Sequence, residues 1–197
     1  MASDPEKSSR RGALRARRRQ VADERDTAVD GTLLAQHVAS LLAELGVGPG
    51  GVVTSYVAVP GEPPTAPLNA ALTASGIRVL VPITLPHLDL DWRDLADEDS
   101  THPLGTDAVS LADVVLAPGL AVDATGTRIG QGGGCYDRAL PRRRAGTPVV
   151  VVLHPGELLA RDEPPLPRRP HDQVVDAVVT AEGVTDLGLT RWRRPPA

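Results

Sequence analysis

The stretch RIGQGGGCYDRAL, Arg128 to Leu140, places four glycines (Gly130, Gly132, Gly133 and Gly134) within five positions and follows them with Tyr136, Asp137 and Arg138. Glycine tolerates positive φ and lets a ligand approach the chain with no Cβ in the way, so successive amides can converge on an anion. Arg128 ahead of the loop offers a fixed cation, and Asp137 behind it offers a hard oxygen ligand. Together they suit a triphosphate carrying Mg²⁺. Simpler roles compete: a tight hairpin or bulge for the glycines, a surface ion pair for Arg128, and a first-turn helix acid for Asp137, since YDRAL reads as the start of a helix. Two familiar phosphate loops are excluded by spacing. No Gly-Lys pair precedes Ser or Thr, and the dinucleotide pattern GxGxxG fails because its last glycine position holds Cys135 when read from Gly130 and Asp137 when read from Gly132.

Such a loop needs a frame. The chain has 197 residues, 41% of them hydrophobic, enough for one ordinary domain with a core. Aromatic residues make up 2% and Phe is absent, so that core must be built from Val, Leu and Ala. Leu34, Val38, Leu41, Leu42 and Leu45 recur at helical spacing up to Gly46. VVTSYVAV, Val52 to Val59, reads as a strand, and a second helix is expected from about Thr65 to Ala74, with Thr65 as its N-cap and Pro67 in its first turn. IRVLVPI (77–83), DVVLAP (113–118), PVVVVL (148–153) and DAVVTA (176–181) supply further apolar runs. Near-continuous apolar strands between helical segments predict a single α/β domain with a mostly parallel central sheet flanked by helices on both faces. The acidic stretch 86–108 and the proline-rich stretch 162–172 are expected to be loops, where sites on such sheets are found. Residues 1–6 and 188–197 are expected to be flexible ends of the domain.

Net charge is −4, with positive charge concentrated in residues 7–25 and in the terminal RWRRPPA. Arg11, Arg15 and Arg18 on one helix face are compatible with nucleic-acid binding, but no aromatic residue interleaves with them and no reader motif follows. There is no GxSxG for a serine nucleophile and no HExxH for zinc. The one cysteine, Cys135, cannot form an internal disulfide and has no identifiable His partner. With no signal-peptide pattern and no apolar run long enough to span a bilayer, the expectation is a soluble cytoplasmic protein without a membrane partner.

DATGTRIGQGGGCYDRAL closely resembles the signature loop of the 5-formyltetrahydrofolate cyclo-ligases, also called methenyltetrahydrofolate synthetases. Three other segments agree in order: Lys7 and Arg11 near the start, SYVAVPGEPPTAPL, and HDQVVDAVVTAEGV. The resemblance runs from about residue 7 to residue 186, with Cys135 where the family usually has a tyrosine. It implies a reaction in which ATP drives closure of 5-formyltetrahydrofolate to 5,10-methenyltetrahydrofolate. It further implies an ATP site of Lys7, Arg11, Arg128, Gly130, Gln131, Gly132, Gly133, Gly134, Cys135 and Tyr136. A folate site of Val57, Glu62 and Tyr136 follows in the same way, with Mg²⁺ on Asp137 and Asp172 and with Arg128, Tyr136 and Asp137 at the reacting centre. Asp176 competes with Asp172 for the metal, and His171 is read as a bystander. The expected partners are folate and ATP, not nucleic acid, and the expected state is a monomer. The main alternative is a relative that uses the same ATP loop on another small molecule.

Overall fold

The structure is a computed structural model and describes residues 5–97 and 103–188. The expectations for residues 1–4 and for the terminal RWRRPPA lie outside the described residues. Helix α1 (Pro5–Glu24) leads into α2 (Thr27–Leu45), then β1 (Val52–Thr54), α3 (Ala66–Ala74), β2 (Arg78–Thr84) and β3 (Leu90–Asp94). A 3₁₀ segment at Thr106–Leu111 precedes β4 (Val114–Pro118), the short strands β5 (Ala121–Val122) and β6 (Arg128–Ile129), and α4 (Cys135–Ala139). Strands β7 (Val149–Val152), β8 (Ala177–Thr180) and β9 (Gly183–Asp186) complete the fold.

Seven strands form one sheet in the order β3-β2-β1-β4-β7-β8-β9. The five inner strands are parallel, and β3 and β9 close the edges as antiparallel partners of β2 and β8. Both faces are buried, which is why the inner strands are apolar without alternation. On one face Val114, Leu116, Val150 and Val152 meet Leu34, Val38, Leu41, Leu42 and Leu68 of α2 and α3. On the other face Val115, Ala117, Val149 and Val151 meet Trp92, Val109, Tyr136, Ala139 and Leu140. The α/β architecture with helices on both faces is as expected. Helix α2 is set by its ends: the Asp26 carboxylate accepts from the amides of Ala28 and Val29 at 2.9 and 3.2 Å, and Gly46 turns the chain out at φ 72°. Among the described residues no helix is long and apolar enough to cross a membrane.

Several expectations are corrected. The strand expected over 52–59 ends at Thr54. The Tyr56 carbonyl instead accepts from the Thr65 hydroxyl at 2.7 Å and the Asn69 amide at 3.0 Å, which draws the chain off the sheet. Thr65 accordingly makes no side-chain cap to α3, because its oxygen also accepts from the Ala58 amide. The acidic stretch 86–108 is not all loop: Leu90 and Trp92 alternate inward on β3, and their burial outweighs the low strand propensity of the aspartates between them.

The chain runs β1 to β2 towards one edge and β4 to β7 to β8 towards the other. The order therefore reverses between β1 and β4. Beyond the carboxyl ends of those two strands lies the crevice that open α/β sheets use for ligands.

Candidate active site

A cleft of about 1050 Å³ occupies that crevice. Tyr56 and Val57 reach it from the end of β1, Pro118 and Gly119 from the end of β4, and Pro82 and Thr84 from β2. Its remaining walls come from α1, the glycine loop, α4 and the segment 169–172. Every residue that the family resemblance assigns to ATP, folate or metal lines it: Lys7, Arg11, Val57, Glu62, Arg128, Gly130, Gln131, Gly132, Gly133, Gly134, Cys135, Tyr136, Asp137 and Asp172.

Helix α1 is held against the body by an unusual face. Lys7, Leu14 and Arg18 are buried and Arg11 is half-buried, so the inward stripe carries three cations and one leucine. Leu14 packs with Leu120, Ile129, Leu159 and Leu166. Arg18 grips Glu157 with both branches, at 2.7 and 2.5 Å, and donates to the Gly119 carbonyl at 2.5 Å. Lys7 pairs with Asp172. Arg15 donates to the Gln131 side chain at 3.0 Å and to the Gln131 carbonyl at 2.6 Å, and Arg11 lies over Gly132, 3.6 Å from where a Cβ would stand. The basic segment thus faces the glycine loop; Lys7 and Arg18 are paired with carboxylates, whereas the buried Nε of Arg11 has no partner among the described residues.

The loop itself hangs from the β5–β6 hairpin. Asp123 ties the hairpin turn by accepting from the amides of Thr125 and Thr127 at 2.9 and 3.1 Å, and it reaches the Leu166 amide at 2.8 Å. Gly132 and Gly134 take φ of 118° and 68°, values that disfavour side chains. Arginines draw off the loop's carbonyls: Arg15 that of Gln131, and Arg138 that of Gly133 at 2.8 Å. Among the described residues, no amide of residues 130–134 donates to a protein acceptor. A run of amides without internal acceptors, in a cleft also lined by Lys7, Arg11 and Arg128, has the chemistry to receive an anion.

Asp137 sits in α4, where its Oδ1 accepts from Arg128 at 3.2 Å and from the Gln173 amide at 3.3 Å. Arg128 also lies 5.7 Å from the centre of the Tyr136 ring, with Trp92 edge-on to that ring at 6.4 Å. Tyr136 and Tyr56 are both buried, and neither hydroxyl has a hydrogen-bond partner among the described residues. Burial holds both phenols above their ordinary range, so each stays protonated and able to donate. Glu62 accepts from the Val59 amide at 3.2 Å, and its burial raises its carboxyl above the ordinary value. Residues 57–62 also border a second, mostly apolar cavity of about 920 Å³.

The carboxylates fit a metal shared with a phosphate better than a protein-only cage. Among the described residues no three His, Cys, Asp or Glu side chains cluster to hold an ion. Magnesium bound with a nucleotide needs only one or two carboxylates beside phosphate oxygens and water. Among the described residues the second oxygen of Asp137 has no protein partner, and Asp172 lines the same cleft while accepting from Lys7 and the Arg169 amide. Asp176 is not in the cleft. It caps the neighbouring strand by accepting from the Val149 amide at 2.8 Å. Burial opposes ionisation of Asp172, but the bonds from Lys7 and the Arg169 amide outweigh it and hold the carboxyl below its ordinary value. Tyr56 and the Arg18–Glu157 pair are the site features the sequence reading missed. Tyr56 carried one signal: it is one of two tyrosines in a chain with 2% aromatic content.

The sequence model of the 5-formyltetrahydrofolate cyclo-ligase family matches residues 3–181. The chain is 35% identical over 148 residues to the 5-formyltetrahydrofolate cyclo-ligase of Mycolicibacterium smegmatis, an alignment covering 66% of this chain and 74% of that protein. Its fold is similar to that of a 5,10-methenyltetrahydrofolate synthetase from Mycoplasma pneumoniae, with TM-score 0.66, 16% identity and coverage of 86% of this chain and 99% of the other. The corresponding protein of Aquifex aeolicus superposes with TM-score 0.66 at 21% identity, covering 94% of both chains.

Proposed function

This chain belongs to the 5-formyltetrahydrofolate cyclo-ligase family, and we propose that it closes 5-formyltetrahydrofolate to 5,10-methenyltetrahydrofolate in an ATP- and Mg²⁺-dependent reaction releasing ADP and phosphate. One observation carries the reading. A single cleft joins an amide-rich, cationic wall to a pair of buried phenols and a carboxylate, built from segments spread between residues 7 and 172.

In outline, the formyl oxygen attacks the γ-phosphorus of ATP and ADP departs. N10 of the folate then attacks the activated carbon, that oxygen leaves with the phosphate, and the proton on N10 is lost as the methenyl bridge forms. Such a reaction asks the protein for alignment and charge neutralisation more than for covalent chemistry. Lys7, Arg11 and Arg128 neutralise phosphate charge, and the amides of residues 130–134 cradle it. Lys7 and Asp172 enter already paired, so neither stands as an isolated buried charge before the nucleotide arrives. Arg128, stacked on Tyr136 and bonded to Asp137, is fixed between the phosphate cradle and the pterin end. Glu62 accepts from ring N–H groups of the pterin, while Val57 and Tyr136 pack against it. Bound Mg²⁺ supplies charge neutralisation and alignment of phosphate oxygens, with Asp137 and Asp172 as its protein ligands. The half-buried, unpaired Cys135 suits the reducing cytoplasm.

The test is a spectrophotometric assay of the purified protein with 5-formyltetrahydrofolate, ATP and Mg²⁺, omitting each in turn. The reading expects methenyl product only when all three are present. ATP binding without product would keep the phosphate cradle and overturn the folate assignment in favour of another acceptor.

A further inference from the structure

The chain holds few aromatic side chains, and its two tyrosines both line the one cleft. Tyr136 belongs to the signature loop. Tyr56 has no assigned role, yet its surroundings are those of a built contact. The residue is 4% exposed, and its backbone is locked from behind: the carbonyl accepts from Thr65 and Asn69, and Asn69 in turn accepts from the Ser55 hydroxyl at 2.6 Å. The side chain belongs to a residue that lines the cleft, and its buried hydroxyl bonds to no described residue.

We propose that Tyr56 is a substrate-binding residue whose hydroxyl donates a hydrogen bond to an acceptor atom of the bound folate. The assignment rests on the folate reading of the cleft. Three arguments support it. Tyr56 follows β1 on the same segment as Val57 and Glu62, the residues assigned to the folate, and lines the same cleft. The cost of a buried hydroxyl without a partner is borne in the free protein and removed on binding, which makes the bond selective for a ligand with an acceptor at that point. Burial keeps the group a phenol across the physiological range, so it is a donor whenever substrate arrives.

The experiment compares wild-type protein with Tyr56→Phe, measuring KM for folate, KM for ATP and Tm. Removing a neutral hydrogen bond should raise the folate KM about 3- to 10-fold. ATP KM should stay unchanged, and Tm should be unchanged or higher, because the variant loses an unpaired hydroxyl and keeps the ring. A merely structural tyrosine would lower Tm and move both KM values together, and that result would overturn the assignment. Unchanged folate kinetics in an active variant would also overturn it while leaving the proposed function intact. Failure of the wild-type protein to turn over folate would overturn both.

Discussion

Arg18 and Glu157, 139 positions apart, form a buried two-pronged ion pair at 2.7 and 2.5 Å. The same arginine holds the Gly119 carbonyl, and the same carboxylate accepts from the His154 amide at 2.9 Å. The His154 ring nitrogen lies 3.2 Å from the Gly61 carbonyl, next to Glu62. One pair thereby joins the helix carrying Lys7 and Arg11 to the loop carrying Glu62. Burying two charges is repaid only by such complete satisfaction. Glu157→Ala should cost about 3–5 kcal/mol of stability by stranding the guanidinium. Chemical denaturation checks this, and an unchanged midpoint would show that the pair contributes nothing to anchoring α1.

Glu62 offers a pH signature. Burial raises its folded-state carboxyl above 4.5, partly offset by the Val59 amide. If the carboxylate receives pterin N–H groups, folate binding needs the ionised form. Folate KM should then climb as pH falls through that raised value, from a pH above 4.5 downward. Glu62→Gln should give a higher KM that no longer varies across that window. A variant profile matching the wild type would reject the placement.

Asp172 predicts acid sensitivity of the fold. Its folded-state carboxyl lies below 3.8, since Lys7 and the Arg169 amide overcome the effect of burial. A depressed carboxyl contributes stability at pH values above the ordinary one and loses it as pH falls through the folded value. Stability should therefore drop below about pH 3.8. In Lys7→Met the drop should shrink or vanish, because burial then carries the folded value back up to the unfolded one or above it. Thermal melts from pH 2 to 7 read both, and superimposable acid limbs would show the pair to be idle.

Gly132 combines φ of 118° with a guanidinium 3.6 Å from its missing Cβ. Gly132→Ala should cost about 1–2 kcal/mol in backbone strain and raise ATP KM at least tenfold by turning amides away from the phosphates. Folate KM should move far less, as the site's other end is built from β1. Equal damage to both constants would mean that the loop supports the cleft as a whole.

How much of this could be read from the chain varies with the physics of each part. The glycine loop and its Asp137 were legible because a bare backbone followed by an acid is a local signal. The inner strands were legible because burial on both faces leaves an uninterrupted apolar run. Helix α1 was opaque to apolar periodicity: its buried stripe is Lys7, Arg11, Leu14 and Arg18, a pattern that scores as solvent-facing. Strand β3 hid behind aspartates although Leu90 and Trp92 alternate correctly. VVTSYVAV is rich in strand-forming residues, yet Thr65 and Asn69 take the Tyr56 carbonyl and end β1 early. Pairings such as Arg18 with Glu157 depend on tertiary approach and leave no mark in spacing.

In the proposed reaction ATP phosphorylates the formyl oxygen before the ring closes. The direct measurement is turnover of 5-formyltetrahydrofolate labelled with ¹⁸O in the formyl group, followed by mass analysis of the released phosphate. The account predicts that the label appears in inorganic phosphate in step with methenyl product. Methenyl product accompanied by unlabelled phosphate would contradict it.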